Sequence, residues 1–261
     1  MNNADQPSVQ RHHNKSAPGI LVTRAKERSA GLVEDLNSGG FRAVELPCLT
    51  IHPIPVNTDS FSLQNVDAVI FTSYHAVESM HSALPFPWTH VDSQVFAIGP
   101  ATAEQLAELK QNITRQPVHP YNSEALLTFK EFENGENKTA AVVKGKGGRD
   151  HLQQELPKRG FRVCMIDSYE RVLPEYDTAA IDAVFEPGVI NAVTVTSNEV
   201  LQNLLQLAGA RHKQYVLGLP LVVGSPRAAT LAGELGFNSR IVVAKSPGDT
   251  DMLSAVQQVF P

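Results

Sequence analysis

The segment ILVTRAKERSAGLVEDLNSGGFRAVELP (Ile20–Pro47) resembles a second segment of the same chain, AVVKGKGGRDHLQQELPKRGFRVCMID (Ala141–Asp167). Gly40-Phe41-Arg42 in the first copy returns as Gly160-Phe161-Arg162 in the second, 120 residues later. Further pairs follow in the same order: DAVIFTSYHAVESM from Asp67 with NAVTVTSNEVLQNL from Asn191, and FAIGPATAEQLAEL from Phe96 with LVVGSPRAATLAGEL from Leu221. Because solenoid repeats run about 20–50 residues, a period this long predicts a duplicated domain.

Each copy alternates short apolar runs with longer amphipathic stretches. Ile20–Val22, Ala68–Phe71 and Val95–Ile98 are short and apolar, which is typical of buried strands, whereas Ala101–Leu109 has helical spacing. This order predicts the α/β class, with two lobes that each hold a parallel sheet of five strands flanked by helices. Buried helices are a weaker interpretation, because Gly, Pro and Ser closely bound the runs.

Two segments are too extended for a compact lobe. Phe41–Pro55 and Phe161–Pro174 contain prolines, and fourteen extended residues span roughly 46 Å at about 3.3 Å each. We therefore expect a two-stranded β linker between the lobes. The predicted bounds are a disordered tail at 1–18, lobe A at 19–43 plus 175–261, lobe B at 53–167, and the linker at 44–52 and 168–174. Two consecutive lobes that divide near 134–137 remain the alternative.

Composition excludes several classes of protein. The 261 residues are 42% apolar and 19% charged with a net charge of −5, so a strong duplex nucleic-acid binder is not expected. Apolar runs fall short of the ~20 residues of a membrane span. Cys48 and Cys164 lack metal-ligand spacing, the histidines are scattered, and the first residues lack the apolar core of a signal peptide. These features predict a cytoplasmic protein with reduced thiols and no metal.

Hydroxyl, glycine and basic residues recur where predicted strands end. Ligands of parallel sheets bind at that edge, where hydroxyls and helix N-termini favour anions. Helix capping explains several of these residues equally well. We expect a polyanion-binding cleft formed by these residues: Thr23, Arg24, Thr72, Ser73, Thr102, Lys144, Gly145, Gly147, Gly148, Thr196, Ser197, Asn198, Ser225, Arg227 and Ser246. The chain lacks the Gly-rich signatures of ATP and dinucleotide sites, so neither cofactor is predicted.

Tyr169 is the candidate catalytic residue. It lies on the second extended segment beside Glu170 and Arg171, where a side chain would face the space between the lobes. A phenol can donate a hydrogen bond or a proton without a cofactor. An aromatic side chain that merely packs on the ribbon is the alternative. No G-x-S-x-G motif indicates a hydrolase.

Residues 19–261 resemble the uroporphyrinogen-III synthase family, because several sequence blocks of that family occur here in the same order. These blocks are VFAIGPATAEQL from Val95, KGKGGRDHLQQELPKRGFRV from Lys144 with SYERV from Ser168, VTSNEVLQNL from Val195, and VVGSPRAATLAGELGF from Val222 with SPGDTDML from Ser246. The resemblance implies two flavodoxin-like lobes joined by a two-stranded ladder. It also implies closure of linear hydroxymethylbilane to uroporphyrinogen III, with inversion of the D ring and loss of water.

The same resemblance implies that no cofactor is needed and that the substrate carries eight carboxylates. Tyr169 matches the cleft tyrosine of the family. Ser225-Pro226-Arg227 departs from relatives with paired threonines, which leaves the role of this loop open. We expect a monomer, since no long heptad pattern is present, with hydroxymethylbilane synthase as the source of substrate. A non-catalytic two-lobe binding module for a small polyanion is the alternative function.

Overall fold

The computed structural model describes residues 17–56, 65–88 and 92–260. The elements in chain order are β1 (Gly19–Val22), α1 (Ala30–Ser38), β2 (Arg42–Glu45), β3 (Thr50–Pro53), β4 (Ala68–Phe71), α2 (Tyr74–Ala83), β5 (Gln94–Ala97), α3 (Pro100–Glu108), α4 (Ser123–Leu126), β6 (Thr139–Gly145), α5 (His151–Lys158), β7 (Arg162–Val172), α6 (Thr178–Val184), β8 (Ala192–Val195), α7 (Asn198–Leu217), β9 (Leu221–Val223), α8 (Pro226–Glu234), β10 (Ile241–Val243) and α9 (Asp249–Val259). The chain divides into two compact units: unit 1 comprises Met1–Thr50 and Val172–Pro261, and unit 2 comprises Ile51–Arg171.

The sheet of unit 1 has the strand order β2-β1-β8-β9-β10, and its strand pairs are parallel. Numbered along this unit, the order is 2-1-3-4-5, which places the topological switch point between β1 and β8. One face packs on α6, α7 and α8 through residues such as Leu201 and Leu204, and the other packs on α1 and α9 through Leu32 and Met252. Both faces are therefore apolar, as parallel strands require.

The sheet of unit 2 has the order β3-β7-β6-β4-β5, and the pairs that join β7, β6, β4 and β5 are parallel. Strand β3 adds to the edge, where the Ile54 amide donates to the Ser168 carbonyl at 2.9 Å. Helices α2 and α3 cover one face through residues such as Met80 and Leu106, while α4 and α5 cover the other. The carboxyl ends of the four parallel strands consequently lie along one edge.

The α/β class and the two five-stranded, largely parallel sheets confirm the prediction from the sequence. The repeated copies exchange their strands: β1 and β2 of the first copy lie in unit 1, but β4 and β5 of that copy lie in unit 2. The second copy does the reverse, with β6 and β7 in unit 2 and β8 to β10 in unit 1. The chain therefore crosses between the units twice, at 50–51 and at 171–172.

Part of the predicted linker belongs to the sheets instead. Val44 and Glu45 pair with β1, and Tyr169 pairs with Gly145, because the strand ladders continue to these residues. Residues 1–16 of the predicted tail lie outside the described residues. No helix in the described part of the chain is long and apolar enough to cross a membrane.

Candidate functional site

A cavity of about 400 Å³ opens at the carboxyl ends of the parallel strands of unit 2. Residues that follow β4, β5 and β6 meet the end of β7 there, together with the start of α4. The lining residues are Thr72, Ser73, Ile98, Tyr121, Asn122, Ser123, Val142, Lys144, Gly145, Gly147, Gly148, Arg149, Leu152, Met165, Tyr169 and Arg171. The lining thus combines an apolar floor with hydroxyl, amide and basic groups.

An irregularity in the sheet turns Tyr169 toward this cavity. Lys144 of β6 pairs with Asp167 of β7, but the next residue, Gly145, pairs with Tyr169, so one residue of β7 is extra. That residue, Ser168, donates its hydroxyl to the Lys144 carbonyl at 3.3 Å. Ser168 and Tyr169 are both buried, which breaks the alternation of a regular strand. Such bulges re-aim side chains next to functional sites.

The phenol of Tyr169 is held by two polar neighbours. Its side chain is only 1% exposed, and its hydroxyl lies 3.0 Å from the Ser73 hydroxyl. Arg171 donates from Nη2 to the phenol oxygen at 3.1 Å, and its guanidinium lies 5.5 Å from the centre of the ring. The His75 ring makes an edge contact with the Tyr169 ring at 5.7 Å between centroids. The phenol is therefore fixed in position at the wall of the cavity.

Glycine is required at position 145 because the Tyr169 ring lies directly against its backbone. A Cβ atom on Gly145 would stand 2.6 Å from Cζ of Tyr169 and 2.9 Å from its hydroxyl oxygen. Gly147 and Gly148, in the next turn, have φ angles of +73° and +86°, which favour glycine. The loop between β6 and α5 can therefore bring backbone groups to the cavity without bulky side chains.

Positive charge surrounds the cavity. Lys144 is largely buried, with its side chain 12% exposed, and its Nζ lies 3.6 Å from the Asp150 carboxylate. Arg149 and Arg171 also line the cavity. Outside the lining, Lys146 pairs with Glu170 at 3.2 Å. The charges at this edge suit an anionic ligand, since guanidinium and ammonium groups form strong hydrogen bonds with carboxylates.

The cavity brings together seven of the residues singled out in the sequence, namely Thr72, Ser73, Lys144, Gly145, Gly147, Gly148 and Tyr169. The hydroxyl of Thr72 donates to the Val143 carbonyl at 3.2 Å, and Ser73 caps α2 by accepting from the Ala76 amide at 3.2 Å. Thr102 does not join them. It is 4% exposed within the first turn of α3 and lies outside this cavity, so its contact with a ligand stays a prediction.

In unit 1, two predicted ligand residues have structural roles instead. Thr23 is 1% exposed, and its hydroxyl donates to the Thr194 carbonyl at 2.6 Å. Arg24 forms a salt bridge with Asp249 at the start of α9 and donates to the Pro247 carbonyl at 3.0 Å. In this structure Thr23 is buried and the guanidinium of Arg24 holds the loop after β10, and their contacts with a ligand stay predictions.

The other predicted residues of unit 1 follow β8, β9 and β10. Thr196 and Asn198 are half-buried and Arg227 is exposed. Ser197 and Ser225 cap α7 and α8 by accepting from backbone amides at 3.2 and 3.3 Å, and Ser246 donates to Asp251 at 2.6 Å. These strand ends approach closely, since a Cβ on Gly224 would meet Pro247 at 2.9 Å and Thr196 at 3.5 Å. The interpretation as helix caps is correct for both serines.

Four polar lining residues were not among the ligand candidates predicted from the sequence: Tyr121, Asn122, Ser123 and Arg171. Arg171 was detectable, because it lies two residues after Tyr169 and thus on the same side of the strand. Tyr121 and Asn122 reach the cavity from a loop outside the strand ends, so no periodic signal indicates them. Tyr121 is 48% exposed at the opening.

The two thiols are not nucleophiles of this site. Burial raises the pKa of the Cys48 thiol far above its usual range, and burial also raises the pKa of the Cys164 thiol. Both side chains are therefore held in the neutral form. In the described ranges, no group of three or more His, Cys, Asp or Glu side chains is placed to hold a metal ion.

The chain has relatives along most of its length. The family model described as "Uroporphyrinogen-III synthase HemD" matches residues 30–254. The uroporphyrinogen-III synthase of Salmonella typhimurium is 32% identical over 245 residues, which is 91% of this chain and 99% of that protein. The enzyme of the same name from Escherichia coli is 32% identical over 246 residues, with 91% and 99% coverage.

Solved structures share the fold. The uroporphyrinogen-III synthetase of Helicobacter pylori has a TM-score of 0.63 at 16% identity, and the match covers 93% of this chain and 99% of that one. A mutant uroporphyrinogen III synthase from Thermus thermophilus has a TM-score of 0.60 at 18% identity, with 93% and 98% coverage. At these identities the likeness supports the architecture alone.

Proposed function

The chain belongs to the uroporphyrinogen-III synthase family, and from this premise we propose how it performs the reaction of that family in haem biosynthesis. The substrate is linear hydroxymethylbilane, and the product is uroporphyrinogen III with the D ring inverted. The observation that carries the assignment of the site is the buried phenol of Tyr169, held at the wall of a cavity that also presents Lys144, Arg149 and Arg171.

The cavity of unit 2 binds carboxylates of the substrate. Lys144 offers a nearly desolvated ammonium group, and a charge-assisted hydrogen bond is stronger there than in open water. Gly147 and Gly148 leave their backbone accessible, because no side chain shields it. The apolar floor, which includes Leu152 and Met165, suits the face of a pyrrole ring. One pyrrole ring fits this arrangement, with its face on the apolar residues and the carboxylates of its two acidic side chains on the basic and backbone groups.

We also assign carboxylate binding in unit 1 to groups at its own strand ends. Asn198 begins α7 and Ser225 caps α8, where helix dipoles favour negative charge, and Ser246 lies in the loop two residues before the N-cap of α9. Thr196 and Ser197 lie at the same edge. Arg227 is exposed and adds a guanidinium, so this loop can substitute an ion pair for the threonine pair of other members.

Tyr169 acts as the general acid of the first step. Its phenol gives a proton to the hydroxymethyl oxygen, the C–O bond breaks, and water leaves. The remaining bilane is an electrophilic azafulvenium cation, which the D ring attacks through its substituted carbon. The resulting spiro intermediate fragments and recloses with that ring inverted. Since the overall reaction expels only water, the last ring closure releases one proton, which returns to the phenolate.

Control of conformation is the larger task of the protein. The bilane also closes unaided, without inversion, to the I isomer, so the fixed groups must favour attack by the substituted carbon and exclude the simpler closure. Acid catalysis of about 10²–10³-fold by Tyr169 suffices for the chemical step. The chain's own residues supply both roles, so the mechanism needs no cofactor.

Four further assignments complete the proposal. Each unit is a flavodoxin-like lobe, which the strand order 2-1-3-4-5 of unit 1 supports. The chain passes between the lobes within the segments 46–52 and 170–174, which contain the two crossings at 50–51 and 171–172. The reaction makes the enzyme a lyase that eliminates water. It works as a cytoplasmic monomer that receives its labile substrate from hydroxymethylbilane synthase.

The direct test incubates the purified chain with hydroxymethylbilane, oxidises the products to porphyrins, and separates the I and III isomers. A sample without protein measures spontaneous closure. We expect the III isomer to dominate and the bilane to disappear faster than in the blank. Formation of the I isomer at the rate of the blank would instead identify a binding module without catalysis.

A further inference from the structure

Arg171 contacts the phenol of Tyr169 in two ways. Its Nη2 donates to the phenol oxygen at 3.1 Å, and its guanidinium also lies over the ring at 5.5 Å from the centroid. The residues share one side of β7, because they are two positions apart. Arg171 also lines the cavity, so its positive charge lies beside the place where the proton is transferred.

The hydrogen bonds around the phenol determine where its proton points. A phenol both donates and accepts hydrogen bonds. Arg171 can only donate, so the phenol oxygen accepts from it. The Ser73 hydroxyl lies 3.0 Å away and accepts from the Ala76 amide at 3.2 Å, and either hydroxyl can donate the bond between Ser73 and Tyr169. In the arrangement in which Ser73 donates as well as Arg171, the phenol proton points toward the cavity.

We propose that Arg171 is a positioning residue of the reaction, which aims the Tyr169 proton at the leaving hydroxyl and stabilises the phenolate that remains. This inference rests on the proposed function and deepens it. The Tyr169 O–H bond breaks as the new O–H bond of water forms, and the negative charge left on the phenol oxygen faces the guanidinium. When ring closure returns the proton, the original pair is restored. Preorganised charge of this kind lowers the barrier because no solvent must reorganise.

A direct salt bridge from Arg171 to a substrate carboxylate would be a different role. It would hold substrate and transition state equally, so its removal would raise KM and leave kcat unchanged. A positioning role acts through Tyr169 alone, so its removal lowers kcat and has no further effect once the phenol is absent. The two roles therefore separate in a double-mutant cycle.

The experiment measures kcat and KM for Arg171→Met, Arg171→Lys, Tyr169→Phe and the double variant Arg171→Met/Tyr169→Phe. Lys146→Met is the matched control, because this exposed lysine at the same sheet edge pairs with Glu170 and lies outside the cavity lining. We expect Arg171→Met to lower kcat about 10-fold with KM within about 2-fold, and Arg171→Lys to recover most of the loss. In the Tyr169→Phe background, Arg171→Met should change kcat less than about 2-fold.

Independent, multiplicative losses in the double variant would overturn the proposal, as would a change confined to KM. An equal loss of kcat in Lys146→Met would also overturn it, since general electrostatics would then explain the effect. If Tyr169→Phe retains full activity while the wild type still makes the III isomer, the acid role of Tyr169 fails and this inference fails with it. A wild type that makes only the I isomer contradicts the family reaction itself, which is a separate outcome.

Discussion

A methyl group added at position 145 should displace the Tyr169 phenol and so impair catalysis, although the phenol itself is chemically unchanged. In Gly145→Ala the new Cβ would lie 2.6 Å from Cζ of Tyr169, whereas ordinary contacts begin near 3.4 Å, so the ring must move by about 0.8 Å. Gly145 has no positive φ, so alanine can adopt its backbone. The phenol bonds to Ser73 and Arg171, now 3.0 and 3.1 Å, would stretch beyond hydrogen-bond range.

Two lost hydrogen bonds at about 1 kcal/mol each amount to about 2 kcal/mol of positioning energy, or about a 30-fold decrease in kcat. The assay is initial-rate kinetics with isomer separation, and urea unfolding shows whether the variant is folded. Gly99→Ala is the control, because its Cβ would make only an ordinary contact at 3.8 Å with Tyr121. If folded Gly145→Ala has the kcat of the wild type, the exact position of the Tyr169 phenol does not matter for the reaction.

Four further predictions concern stability and the thiols. Thr23→Val should lower the free energy of unfolding by about 1 kcal/mol and leave kcat unchanged, because it removes a buried hydrogen bond of 2.6 Å; a specific rise in KM would restore Thr23 to the binding site. Arg24→Ala should lower the free energy of unfolding by about 2 kcal/mol, because it releases Asp249 and the loop between β10 and α9. An unchanged free energy in urea unfolding would show that Arg24 does not hold this loop. Iodoacetamide at pH 8 should modify Cys48 more slowly than Cys164, and both more slowly than in urea, because burial raises the pKa of each thiol. Since the native pKa is the higher one, stability should fall as pH rises above the ordinary thiol value of 9.0, and Cys48→Ala should weaken that decline.

The fold could be predicted from the sequence because the patterns that indicate it are local and occur twice along the chain. Runs such as Ala68–Phe71 are buried on both sheet faces and are therefore continuously apolar. The repeat indicated two similar sheets, and the long extended segments indicated chain crossings. The bounds of that linker were harder to predict from the sequence. Whether Val44 belongs to a sheet or to a connection depends on which partner strand lies beside it.

The site could be predicted only in part from the sequence, because the burial of each side chain depends on tertiary packing. Thr23 and Thr72 have the same position after a strand, yet one is enclosed and the other lines a cavity. Arg24 looked like an anion ligand, but its partner Asp249 is more than 200 residues away in the sequence. The bulge that turns Tyr169 inward is likewise invisible without its partner strand β6.

The phenol of Tyr169 drives loss of water within a protein that selects the isomer. The most direct measurement compares wild type and Tyr169→Phe at equal concentration, with the rate of bilane loss and the fractions of the I and III isomers recorded together. We expect Tyr169→Phe to be slower by about 10²-fold and to yield a growing share of the I isomer, because spontaneous closure then competes. An undiminished rate with the III isomer alone would contradict it.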